Sequence, residues 1–149
     1  MLTFTQRSKK EVDYILIGPG DLFTSIIPPL IVPNVKEALR ETKGVILYIV
    51  NIMTKFGETH NFKAYDFVKK IDEFIGRRVD GVIYNTEKPD EKIMKSYAGK
   101  NAEFVEFDED NEFWKNRNIY AADLIDSSGS IIRHDSGKLA LLIKDIISR

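Results

Sequence analysis

Apolar residues along the chain keep two alternating rhythms. Short unbroken runs occur at residues 14–17 (YILI), 44–50 (GVILYIV) and 79–84 (VDGVIY). Each is bounded by glycine or polar residues, the pattern of strands buried on both faces. A fourth run, 102–107 (AEFVEF), alternates apolar and acidic residues, which predicts an edge strand with one wet face. Between the runs the period lengthens to that of a helix. Residues 34–42 form a short, charged segment. Residues 61–76 place Phe62, Tyr65, Val68, Ile71 and Ile75 three and four apart, one apolar stripe. Residues 90–98 and 138–148 read as two further helices, the last burying Leu139, Leu142, Ile143, Ile146 and Ile147. Strands alternating with helices predict a single α/β domain with a parallel sheet and right-handed crossovers.

In an open parallel sheet, ligands sit beyond the carboxyl ends of the strands. After the first run comes Gly18-Pro19-Gly20-Asp21, then Thr24 and Ser25. Two glycines let the backbone approach a ligand, and amides opening a helix attract a phosphate. The alternative is a tight turn with Asp21 as helix cap; otherwise its carboxylate repels an anion unless it holds a cation. Pro28 is expected to limit this helix to about two turns. After the second run, residues 51–62 gather Asn51, Thr54, Glu58, Thr59, His60 and Asn61. Strand-to-helix loops usually hold about two to six residues, so this longer one is either functional or simply solvated. Thr59 or Asn61 is expected to cap the helix that follows. His60 beside Glu58 admits an acid/base role or a plain surface position. Asn85 follows the third run. Arg133 and His134 near the C-terminus could bind phosphate, or Arg133 could be a surface cation with Asp135 or Ser136 capping the last helix.

Composition narrows the classes. The 149 residues are 43% hydrophobic and 30% charged, a globular balance, and carry a net charge of −1. Nucleic-acid and anionic-membrane partners are therefore not expected. There is no cysteine, so disulfides and thiolate chemistry are excluded. The N-terminal MLTFTQRSKKE has no leader-like apolar stretch, and no run reaches the roughly 20 residues of a membrane helix, so a cytoplasmic protein is expected. Two histidines stand 74 residues apart, and the glycine fingerprints of dinucleotide and P-loop sites are missing. The charged stretch 106–118 reads as a solvated loop or short helix.

Three blocks, DYILIGPGDLFTSIIPPLIVPNVKEALR, VNIMTKFGETHNFKAYDFV and ADLIDSSGSIIRHDSGKLA, in that order, resemble signature segments of the gluconeogenesis factor family (YvcK-like). That family is related to the phospholactate transferases (CofD-like). The resemblance runs from about Val12 onward and is to the C-terminal half alone, without the family's glycine-rich first turn. It implies a three-layer, Rossmann-like α/β fold. It also implies binding of a uridine-diphosphate sugar such as UDP-N-acetylglucosamine by a regulator of carbon metabolism and cell shape, with no chemistry, metal or cofactor of its own. Gly18, Pro19, Gly20, Thr24, Ser25, Asn51, Thr54, Glu58, Thr59, Asn85, Arg133 and His134 match patterned positions. Asp21 stands where serine is common, and His60-Asn61 where aspartate-glycine is. An alternative from the related branch is a transferase moving a phospholactyl group onto a deazaflavin precursor, which needs a divalent ion such as magnesium. A third reading is a half-domain that pairs with itself or with a separate N-terminal half through exposed sheet edges.

Overall fold

Three of the four apolar runs become strands of one sheet in the computed structural model, which describes residues 12–109, 111–126, 128–129 and 131–149. The N-terminal stretch MLTFTQRSKKE, behind the expectation of no leader, lies outside the described residues. Strands β1 (Tyr14–Ile17), β2 (Val45–Ile49), β3 (Gly81–Asn85) and β4 (Asn118–Ala122) are all parallel and lie in the order β1-β2-β3-β4. Their carboxyl ends therefore share one edge of the molecule.

Alternation along β2 explains why its run is unbroken. Ile46, Tyr48 and Val50 enter one core and Leu47 and Ile49 the other, so both faces are apolar. The larger core lies under a π-helical turn (Leu22–Ile26), α1 (Ile27–Leu30), α2 (Val35–Glu41) and α3 (Ala64–Ile75). The smaller core joins Leu47, Ile49 and Ile83 to Leu139 and Ile146 of α5 (Ser136–Ile147). These are the three layers expected. Helix α4 (Glu91–Ala98) flanks the carboxyl edge. At the centre, Gly81 leaves room for its neighbours: a β-carbon there would stand 2.6 Å from Leu47 Cδ2 and 2.9 Å from Tyr120 Cε2, so both side chains would have to shift.

Several expectations need correction. Residues 102–107 are not the fourth strand. Phe104 forms one antiparallel bridge with Met53, and Val105 donates to the Ile52 carbonyl, so the segment clasps the loop after β2 instead of joining the sheet. The fourth strand is β4, whose run NIYAA has only two large apolar residues and follows the charged stretch that hid it. That stretch holds a 3-10 turn (Glu112–Trp114) that buries Trp114 against Phe107. Neither Thr59 nor Asn61 caps α3; Lys63 occupies the cap position, its amide donating to Asp66 Oδ2 at 2.9 Å. The expectation for Pro28 does hold: the helical run begun at Leu22 stops after about two turns, at Leu30, with Pro28 and Pro29 in the first turn of α1, where a missing N–H is tolerated. In α5, Ile147 is exposed, one position past the buried stripe.

Candidate functional site

A cleft of about 620 Å³ opens at the carboxyl edge of β1 and β2. Its walls come from Pro19, Gly20 and Asp21 after β1, from residues 51–56 after β2, from Tyr97, Lys100 and Ala102 at the end of α4, and from Ile132, Arg133 and His134 before α5. Four separate stretches of sequence thus meet at one place, two of them because the parallel strands β1 and β2 end side by side.

The first wall needs its glycine. Gly18 takes φ of +90°, and a β-carbon would stand 3.0 Å from the Ile49 carbonyl oxygen, so the turn lies directly on the end of β2. Asp21 occupies the cap position of the π-helical turn without a side-chain cap bond. Instead its Oδ2 meets Lys55 Nζ at 2.7 Å, and Lys55 meets Glu58 Oε1 at 2.8 Å. Of the possibilities open for Asp21, the cation is the one realised, and it is an ammonium group. Asp21 first and Glu58 second raise the pKa of Lys55, so it stays charged. This triad ties the turn after β1 to the loop after β2.

The second wall is held from below. Thr54 is buried, its amide donating to the Glu103 carbonyl and its Oγ1 accepting from the Glu103 amide at 2.9 Å. Thr59 is buried too, and its Oγ1 accepts from the Lys55 amide at 2.9 Å. Opposite, residues 124–126 run antiparallel to 133–135: Asp126 donates to the Arg133 carbonyl and Asp135 to the Leu124 carbonyl. Arg133 Nε also pairs with Asp126 Oδ2 at 2.9 Å. Bonds from Ser128 first, and then Arg133, lower the Asp126 pKa to about 2. Asn85, only 2% exposed, clips this hairpin to β3: its Oδ1 accepts from the Leu124 amide at 2.9 Å and its Nδ2 donates to the Glu87 carbonyl at 2.7 Å.

Of the residues singled out in the sequence, Pro19, Gly20, Asp21, Asn51, Thr54, Arg133 and His134 line the cleft. Gly18 underlies it, while Glu58, Thr59 and Asn85 stand behind its walls in the bonds just given. Thr24 and Ser25 are exposed and are not brought to it, and His60 lies against Phe56 on a neighbouring groove. Sequence reasoning passed over Lys55, Tyr97 and Lys100. Lys55 lay within the polar loop already selected, and its alternation with Thr54 and Phe56 was the available signal. Tyr97 gave none: only the fold brings its hydroxyl to the Ile132 amide at 3.0 Å.

The family described as 2-phospho-L-lactate transferase CofD matches residues 7–125. The chain belongs to the CofD family. It is 33% identical over 139 residues to the gluconeogenesis factor of Bacillus subtilis (strain 168), covering 93% of this chain and 44% of that protein. It is 40% identical over 139 residues to a protein of Aquifex aeolicus (strain VF5) provisionally named a gluconeogenesis factor, covering 93% of this chain and 42% of the relative. A crystal structure of a UPF0052 family member from Bacillus halodurans superposes with a TM-score of 0.86 at 29% identity, over 93% of this chain and 45% of that one. The CofD-family fold is thus shared, and the chain spans less than half the length of the relatives it matches. No helix among the described residues is long and apolar enough to cross a membrane.

Proposed function

We propose that the cleft binds the diphosphate of a nucleotide sugar, UDP-N-acetylglucosamine being the ligand to test first, and that binding is the output of a regulator of carbon metabolism and cell shape. The observation that supports this reading is the convergence of the turn after β1, the loop after β2 and the segment 132–134 on one cleft bordered by the cations Lys55, Lys100 and Arg133. The diphosphate would lie over Gly20, whose backbone carries no side chain, with Lys55 and Arg133 on either side. Both cations already hold carboxylates, Asp21 and Asp126, so an arriving anion shares or exchanges partners and meets no bare charge. The relatives' name, gluconeogenesis factor, supports the link to carbon metabolism.

Calorimetric titration of the 149-residue chain with UDP-N-acetylglucosamine is expected to give saturable heat. Arg133→Ala should weaken it by about 10- to 100-fold, the worth of a charge-assisted hydrogen bond. No heat with uridine or guanosine diphosphate ligands would overturn the proposal.

The family description favours one second reading, a transferase acting on a deazaflavin precursor. That chemistry calls for a divalent ion. The described residues of the cleft do not fit one by themselves, since the lining carboxylate, Asp21, is committed to Lys55 and no cluster of three acidic or histidine side chains is found among them. Turnover of a phospholactyl donor with magnesium would establish this reading.

A further inference from the structure

Beside the cleft lies a second, wider groove of about 1180 Å³, and Phe56 and Ala102 line both. The two openings therefore form one continuous surface with Phe56 at the divide. Phe62 and Phe104 line the groove as well. Phe62 is anchored, its ring meeting Phe67 edge-on at 5.5 Å between centroids, and Phe104 is fixed by the antiparallel bridge to Met53. Phe56 is 62% exposed, with the His60 ring 6.0 Å away and tilted by 44°. A single exposed apolar side chain is ordinary on a protein surface. What sets Phe56 apart is where it stands and how firmly its backbone is held there.

The turn that carries Phe56 is tied down on both sides. The Lys55 carbonyl accepts from the Glu58 and Thr59 amides at 3.1 and 2.8 Å, and the Lys55 amide donates to Thr59 Oγ1 at 2.9 Å. Asp21 and Glu58 hold the Lys55 ammonium in turn. Phe56 is thus presented on a fixed tip, and a flat partner gains contact with its ring without first ordering a loop.

Charge divides the two openings. The cleft sets Lys55, Lys100 and Arg133 against Asp21. The groove sets Lys63 and Lys88 against Glu91, Glu103 and Glu106, and Lys63 already meets Glu106 at 3.7 Å. An anion is drawn to the first and gains nothing in the second. A molecule with a phosphate end and an uncharged aromatic end fits the pair in one direction only. On the groove, the exposed amides of Asn61 and Asn101 each offer donors and an acceptor, the complement of a base edge.

We infer that Phe56 is the stacking platform for the nucleobase of the ligand, with the diphosphate in the cleft and the base over the Phe56 ring at the mouth of the groove. This rests on the nucleotide-sugar reading of the cleft. It fixes an orientation which that reading left open: the base leaves the cleft on the Phe56 side, and the sugar lies on the other side of the diphosphate.

The test titrates the 149-residue chain, Phe56→Ala and Phe56→Tyr with UDP-N-acetylglucosamine, UDP and pyrophosphate. Phe56→Ala is expected to lose about 5- to 100-fold in affinity for both UDP-N-acetylglucosamine and UDP, the worth of one base–aromatic stack, and to keep pyrophosphate binding within about twofold. Phe56→Tyr keeps the ring and should stay within about twofold for all three. A loss seen with UDP-N-acetylglucosamine and not with UDP would put the sugar on Phe56 and overturn the inference. An equal loss for pyrophosphate, or no loss at all, would overturn it too, and each of these results leaves the cleft reading intact. Failure of the unaltered chain to take up any of the three overturns both. Independently of the variants, nuclear Overhauser contacts in the unaltered chain should join the base hydrogens of bound UDP to the Phe56 ring; contacts to Ile132 or Tyr97 without Phe56 would sink the assignment.

Discussion

Asn85→Ala separates a positioning residue from a ligand-binding one. The side chain accepts from the buried Leu124 amide at 2.9 Å and donates to the Glu87 carbonyl at 2.7 Å. Removal leaves the Leu124 N–H without a partner in the interior, at about 1–3 kcal/mol. Glu87 is exposed, so water replaces its lost donor cheaply. The space vacated in a 2%-exposed site adds about 1 kcal/mol more. The sum is roughly 2–4 kcal/mol, and at about 2–4 °C per kcal/mol for a chain of this size the melting midpoint should fall by about 4–16 °C. Urea unfolding followed by circular dichroism measures the first figure and a thermal scan the second. Because Leu124 carries the hairpin that holds Arg133 and His134, affinity for UDP-N-acetylglucosamine should fall as well. Lost affinity with stability unchanged to within about 0.5 kcal/mol would refute this reasoning and make Asn85 a direct ligand contact.

Gly18→Ala must hold alanine at φ of +90° with its β-carbon 3.0 Å from the Ile49 carbonyl oxygen, and should cost about 1–3 kcal/mol by urea unfolding. Arg117→Met strips the partner from Asp72 at a site where Arg117 is buried, stacks on Phe113 and also donates to the Val79 carbonyl; a loss of about 3–5 kcal/mol is expected in the same assay. For Asp126, a folded-state pKa of about 2 lies below the ordinary carboxylate value of 3.8, so its stabilising contribution is present above about pH 4 and is lost as pH falls towards 2. Carbon-13 titration of its carboxyl should give a midpoint near 2, and Arg133→Ala should raise it only in part, since Ser128 is the larger cause.

The parts of the fold legible in the sequence were those with strong periodicity. Strands β2 and β3 are buried on both faces and announce themselves as unbroken apolar runs. Strand β1, expected to be like them, lies at the sheet edge with Tyr14 and Leu16 exposed, and its run was legible only because those exposed positions are apolar too. Helix α3 shows its stripe because one side faces the core. Strand β4 lies at the edge and mixes Asn118, Ile119 and Tyr120 with two alanines, so it carried less signal than 102–107, whose alternation belongs to a clasp on the loop after β2. At the candidate site, glycines and clustered polar residues after β1 and β2 pointed to loops that line the cleft. What could not be read was which side chains are consumed by structure. Thr59, Asn85 and Asp21 look like ligand contacts in a one-dimensional pattern, and only the fold shows their bonds to Lys55, Leu124 and Lys55 respectively. Tyr97 and Lys100 reach the cleft through the packing of α4, which no local pattern specifies.

The central claim is that a nucleotide sugar binds where the three sequence blocks meet. Its most direct test is an amide nitrogen–hydrogen correlation spectrum of the 149-residue chain recorded while UDP-N-acetylglucosamine is added. Saturable shifts concentrated at Gly20, Asp21, Asn51, Thr54, Lys55, Arg133 and His134 are the predicted result. Shifts confined to the neighbouring groove at Phe62, Lys88 and Met94, or none at millimolar ligand, would contradict it.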